Sequence, residues 1–186
     1  MTRFLTGAAV AVMATAPALG QEVASPLETG GTISGTLDLE PAVWSVASVD
    51  GELASSWAPT STARLVRLVG IARQSGESGL TDSLIITFRA AGNPAEPDVQ
   101  DPLVAYFPAG SDRTWMAEGE NVDLSVEALE VSGESMAVAG SFVALMTPGG
   151  TEGLVEEDAD LVTVDGNFQA TLGLDAEMSF PAVPAE

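Results

Sequence analysis

Apolar and polar side chains alternate with period two along almost the whole chain, and this confines it to strands with one buried face and one wet face. Val122, Leu124, Val126 and Ala128 alternate with Asn121, Asp123, Ser125 and Glu127. Met136, Val138, Phe142, Ala144 and Met146 form a second apolar face. Val162, Val164, Phe168, Ala170, Leu172 and Leu174 form a third, with Gly166 among them. Ile33, Leu37 and Leu39 alternate with Thr32, Ser34, Thr36 and Asp38, and Leu84, Ile86 and Phe88 with Ser83, Thr87 and Arg89, Ile85 being an exception. Residues 64–72 are apolar on both faces apart from Arg67 and predict a strand covered on both sides. Shorter candidates are residues 42–49, 103–107 and 114–117. No window after the first twenty residues gives a capped helical period.

Turn signals interrupt these runs at Glu40-Pro41, Asp50-Gly51, Ser75-Gly76, Gly79, Ser132-Gly133 and Pro148-Gly149-Gly150. Residues 90–102 carry three prolines and three acids and read as a surface loop, and residues 147–160 as a second one. The expected architecture is all-β: a single antiparallel β-sandwich or flattened barrel of about eight to ten strands. It would span residues 31–175, after a leader at 21–30 and before a tail at 176–186.

The first twenty residues read as a secretory signal peptide. Met1-Thr2-Arg3 is a short positive start, residues 4–16 are almost wholly apolar or small, and Ala18-Leu19-Gly20 offers a cleavage site before Gln21. The apolar run is short for a membrane span, and no later segment reaches that length. The expected location is therefore periplasmic or extracellular, as a soluble chain. Its 166 remaining residues suffice for one core without disulfides.

Charge and missing residue types narrow the function. The chain sets 27 Asp and Glu against 6 Arg and has no His, Cys or Lys. Such a negative field disfavours nucleic acid and anionic lipid and suits cations or a basic protein partner. Serine and threonine lack the histidine or lysine base that nucleophilic catalysis uses. Zinc, copper and iron sites commonly use imidazole or thiolate, and neither is present. The reading is a non-enzymatic binding or structural module without an obligatory cofactor.

Three site hypotheses remain. Glu156, Glu157, Asp158 and Asp160, with Asp165 shortly after, supply oxygens for calcium, although their spacing is not that of an EF-hand. Glu96, Asp98 and Asp101 form a weaker cluster. Trp57 and Trp115, the latter close to Arg113, are candidate stacking platforms for a glycan, whereas Trp44 reads as core. A glycoside hydrolase needs only two carboxylates, but nothing singles out two of the 27 acids.

Val138-Ala139-Gly140-Ser141-Phe142-Val143-Ala144 and Val164-Asp165-Gly166-Asn167-Phe168-Gln169-Ala170 share the form V-x-G-x-F-x-A. A strand glycine two residues before a large apolar side chain predicts a bulge, or a neighbouring aromatic ring lying over bare backbone. These segments, with Ser34-Gly35-Thr36-Leu37 and Val43-Trp44, resemble the closing and opening strands of exported bacterial β-sandwich proteins. The opening of that family often reads sGtldGepvtW. The resemblance covers most of residues 31–174 and implies the sandwich fold and export without a mechanism. Leu39-Glu40 replaces the Gly-Glu of that pattern in the first turn.

Overall fold

A computed structural model describes residues 29–47, 55–72, 82–149 and 161–178. These form ten strands: β1 (Thr29–Leu37), β2 (Glu40–Ala47), β3 (Ser56–Pro59), β4 (Ala63–Ala72), β5 (Ser83–Asn93), β6 (Glu96–Phe107), β7 (Thr114–Glu118), β8 (Val122–Ser132), β9 (Ser135–Gly149) and β10 (Val162–Leu174). A single 3-10 turn, Gly119–Asn121, links β7 to β8. No helix among the described residues is long and apolar enough to cross a membrane.

All ten strands belong to one mostly antiparallel sheet, and its ladders run round a ring of eight, β1-β2-β4-β5-β6-β7-β9-β10 and back to β1. Of the two expected architectures, the barrel describes this closed connectivity. β3 fills one end of the wall between β10 and β4. It pairs parallel with Gly173 and Leu174 and antiparallel with residues 64–67. The β1–β2 hairpin fills the other end, where β2 meets Gly70, Ile71 and Ala72. β8 extends the β9 edge below β7 and ladders to no second strand.

The apolar sets read from the sequence line the interior. Ile33, Trp44, Leu84, Ile86, Phe88, Met136, Val138, Phe142, Met146, Val164, Phe168 and Leu172 are all buried in one core. Both faces of β4 are covered, with Val66 and Leu68 facing inward and Leu65 and Val69 buried on the other side. The outward residues of β1 and β10 are polar: Thr32, Ser34 and Thr36, and Thr163, Asp165, Asn167, Gln169 and Thr171.

The repeated motif acquires a physical meaning in the β9–β10 pair. Gly140 stands opposite Phe168 and Gly166 opposite Phe142, so each copy places its glycine against the other's ring. A Cβ on Gly140 would lie 2.6 Å from Phe168 Cζ, closer than packed atoms approach. Phe168 also packs against Phe88 and Phe142, at centroid separations of 6.2 and 6.5 Å. Gly166 serves a different contact. It pairs with Gly35 of β1, and a Cβ on either glycine would strike the facing backbone. The bare glycines thus let the β1 and β10 backbones approach closely.

Several local expectations are corrected. Residues 90–102 are the arms of the β5–β6 hairpin, which turns at Pro94-Ala95. The prolines are tolerated because this half of β6 ladders only to β5, and a bulge at Asp101-Pro102 absorbs the second of them. The first turn is at Asp38-Leu39, not Glu40-Pro41. Both residues have positive φ, 50° and 68°, as a two-residue type I′ turn requires. Leu39 consequently leaves the apolar face and is 87% exposed. A bulge between Val126 and Ala128 turns Ala128 outward and gives its inward place to Leu129. The expected turns at Asp50-Gly51, Ser75-Gly76 and Gly79 lie outside the described residues.

Candidate functional site

The two ends of the barrel differ. At one end Trp57 of β3 points inward and is 5% exposed. Its Nε1 donates to the Glu134 carbonyl in the β8–β9 turn at 3.2 Å, and its own carbonyl accepts from Asp175 N at 2.9 Å. The segment after β10 is latched to the same place: the Ser56 hydroxyl lies 3.3 Å from Met178 Sδ, and Arg67 lies 3.6 Å from Asp175. Trp57, a candidate glycan platform by sequence, therefore presents no free indole face.

The opposite end collects the β1–β2 turn and the residues where β4, β6 and β9 finish and β5, β7 and β10 begin. Register places Trp44 beside Ala72, Ala72 beside Asp82, Tyr106 beside Trp115, and Trp115 beside Pro148, with Asp82 two residues before the Leu84 that faces Tyr106. Alternation makes Tyr106 and Trp115 inward residues, in phase with Val104 and Ala117. They are the last inward positions on their strands, so they close the core from this side. Tyr106 is 8% exposed, and Trp115 is half-buried against the core. Trp44 is fully enclosed, as expected, and its indole N–H has no hydrogen-bond partner among the described residues.

Polar groups surround these rings. Asp82 is near enough to the Tyr106 hydroxyl for its charge to act on it, and its Oδ1 accepts from Ala109 N at 2.6 Å. Asp38 Oδ1 accepts from Thr163 N at 2.9 Å, which pins the β1–β2 turn to β10. Burial first, then the charge and hydrogen bond of Asp82, then the charge of Asp38 push the Tyr106 pKa from 10.0 up to about 12. The phenol therefore stays protonated at neutral pH. The ion pairs among the described residues join Arg67 to Asp175 and Arg89 to Asp101, so neither Asp38 nor Asp82 is matched by an arginine there. Arg113, expected beside Trp115, is exposed in the connection leading into β7.

Of the acids read as calcium ligands, Glu156, Glu157, Asp158 and Asp160 lie outside the described residues. Asp165 faces outward on β10 and accepts a hydrogen bond from the Thr36 hydroxyl. Among the described residues no three carboxylates converge as a metal site would require. In the second acidic cluster, Asp98 accepts from Gln100 at 2.7 Å and Asp101 pairs with Arg89 at 3.1 Å.

Sequence reading singled out Trp115 and Arg113 but missed Tyr106, Asp82 and Asp38. The available signals were the chain's single tyrosine and aspartates placed at a strand start and a turn. Only pairing across strands brings them together. Two other surface features lie on the barrel wall. A trough of about 340 Å³ crosses β8, β9, β10 and β1, with Ala128, Ala137 and Ala139 among its lining and Gln169, Thr171 and Glu130 as its polar groups. An apolar patch includes Val143, Leu145, Met116 and Phe107. Comparison with family models, with curated proteins and with solved structures finds no match, so the resemblance to exported sandwich proteins rests on its motifs alone.

Proposed function

We propose that this chain is an exported, non-catalytic binding module, acting in the periplasm or outside the cell, with its ligand site at the Trp115 end of the barrel. The carrying observation is the contrast between the two ends. Trp57 is capped by a turn and a latched C-terminal segment, while Trp115 is only partly buried, beside Tyr106. Barrel mouths with an aromatic wall and a few polar groups are common ligand sites. Export is supported by the character of residues 1–20. The apolar interior and the polar outer faces of β1 and β10 support a barrel that works in water, because membrane barrels carry an apolar band outside. The non-catalytic reading is supported by the lack of His, Cys and Lys.

A glycan is the second ligand reading. It is favoured by the half-buried Trp115 ring with Arg113 two residues away. The binding test is intrinsic tryptophan fluorescence against a panel of neutral oligosaccharides and small amines, with Trp115→Ala as control. A ligand response that survives Trp115→Ala would refute the location. Mass spectrometry of the secreted protein should give a chain beginning at Gln21. Retention of residues 1–20 on a cytoplasmic product would refute export.

A further inference from the structure

We propose that the trough on the outer wall is a second ligand site, which seats one neutral sugar ring over Ala137 and Ala139, between Glu130 on β8 and Gln169 and Thr171 on β10. The trough encloses about 340 Å³, within the range of small-molecule sites. Its shape follows from residue size along paired strands. In one row across the wall, Glu130 faces Ala137 and Ala137 faces Thr171. In the next row Ala128 faces Ala139, Ala139 faces Gln169, and Gln169 faces Thr32. On β9 and β10 these residues are out of phase with the buried Val138 and Ala170, so they point outward. The β9 methyls therefore form a floor, and the longer side chains of β8 and β10 form its flanks. The β1 side stays low at Gly30, a residue that the β1–β2 ladder skips. Two strand spacings, about 10 Å, separate the flanks. With a hydrogen bond of about 2.8 Å on either side, the floor takes one six-membered ring across its width.

The polar groups select the ligand class. Among the described residues, the side chains of Thr32, Glu130, Gln169 and Thr171 make no hydrogen bond or ion pair. Thr36 and Asp165, on the same outer face, bond to each other instead. Gln169 offers a donor and an acceptor, each threonine hydroxyl does the same, and Glu130 only accepts. A sugar hydroxyl matches all of them, because it both donates and accepts. An ammonium group has no acceptor for the Gln169 amide N–H. An anion is opposed by Glu130 and by the net charge of −21. An aliphatic ligand would strip water from the four polar groups without replacing it. The C–H face of a sugar ring, by contrast, lies on the alanine methyls while its rim of hydroxyls reaches the flanks. The small floor is not a demand of the strand itself. Farther along β9, the outward positions carry Val143 and Leu145.

The experiment is alanine-methyl NMR of the full exported protein, titrated with the methyl α-glycosides of glucose, galactose and mannose, and with lysine amide for comparison. At least one glycoside should shift the Ala137 and Ala139 methyls with a Kd of about 1 mM, as befits a ligand of this size. Lysine amide should bind at least about tenfold more weakly. Ala137→Leu fills the floor and should weaken glycoside binding at least about tenfold, and Glu130→Gln and Gln169→Ala about fivefold each. Ala137 is exposed, so the leucine leaves the core untouched, and melting curves verify that each variant is folded. No methyl shift with any glycoside, tighter binding of lysine amide, or glycoside binding undiminished in Ala137→Leu overturns the proposal. Glycoside binding lost in Trp115→Ala but kept in Ala137→Leu overturns the wall site and supports the Trp115 end as the sugar seat. Glycoside binding lost in Ala137→Leu supports the wall site whatever the Trp115 end binds. Retention of the protein on cellulose or chitin, reversed by the glycoside, would identify the ring as part of a polymer. Glycoside binding without retention would identify it as a free sugar.

Discussion

Tyr106 offers a direct test of how the Trp115 end of the barrel is built, because it is the chain's single tyrosine and its ionisation has its own ultraviolet signal. Burial, Asp82 and Asp38, in that order, raise its pKa from 10.0 to about 12. In that interval the folded protein keeps a phenol proton that the unfolded chain has lost. The associated stability is therefore fully present below pH 10.0 and is lost progressively as the pH rises toward about 12. An undiminished shift of that size corresponds to roughly 2.7 kcal/mol at 1.36 kcal/mol per unit. Water at the barrel end screens the two aspartates, so we expect a loss of about 1–2 kcal/mol. The assay is spectrophotometric titration of tyrosinate, run alongside urea unfolding at each pH. Asp82→Asn should lower the midpoint toward 10.0 by removing a charge, and Tyr106→Phe should abolish this component of the alkaline loss. A native midpoint at 10.0, with the fold intact, would refute the packing of Tyr106 against Asp82.

Other predictions concern the turns and the core. Leu39 holds φ at 68° with its side chain 87% exposed, so Leu39→Gly should stabilise the protein by about 1 kcal/mol, read as a rise in Tm of about 2–4 °C. Gly140→Ala pushes a methyl into the Ser125 carbonyl oxygen and to within 2.6 Å of Phe168 Cζ, and should cost about 1–3 kcal/mol or more in urea unfolding. Phe168→Ala should cost about 3–5 kcal/mol, and the double variant should recover little of the Gly140→Ala cost, because the Ser125 carbonyl still blocks the new methyl. Trp57→Phe keeps the plug but removes the bond to Glu134, and should cost about 1 kcal/mol in the same unfolding assay.

Much of the barrel wall was legible because inward positions repeat every second residue. Met136 through Met146 and Val162 through Leu172 hold that phase along their strands. Phase is lost where one residue is inserted, and the β8 bulge that exchanges Ala128 for Leu129 leaves no compositional trace. The β5–β6 hairpin was hidden for another reason. Its prolines and acids suit a loop, and they are tolerated in a strand whose outer edge is unladdered there. The glycine–phenylalanine echo announced a ring over bare backbone, and Phe168 supplies it over Gly140. The candidate site was harder to read. Trp115 is visible as an aromatic near a loop, but Asp82 and Tyr106 lie 24 positions apart and meet through the sheet. Trp57 shows the converse: the same kind of sequence neighbourhood ends in a capped, buried ring.

The pairing of β1 with β10 has a further consequence for how the molecule is made. Gly31 lies beside Ala170, so the first and last strands complete the wall against each other. A ribosome must release nearly the entire domain before that junction can form, and contacts of such long sequence separation slow folding. The incomplete chain keeps an open edge along β9 until β10 arrives, which delays maturation past synthesis and exposes it to chaperones. The same adjacency puts the start of β1 and the end of β10 at one end of the barrel, where a short peptide could join them. A circular permutant opened at Asp38-Leu39 would then deliver β1 directly after β10, turning the slowest junction into a local hairpin.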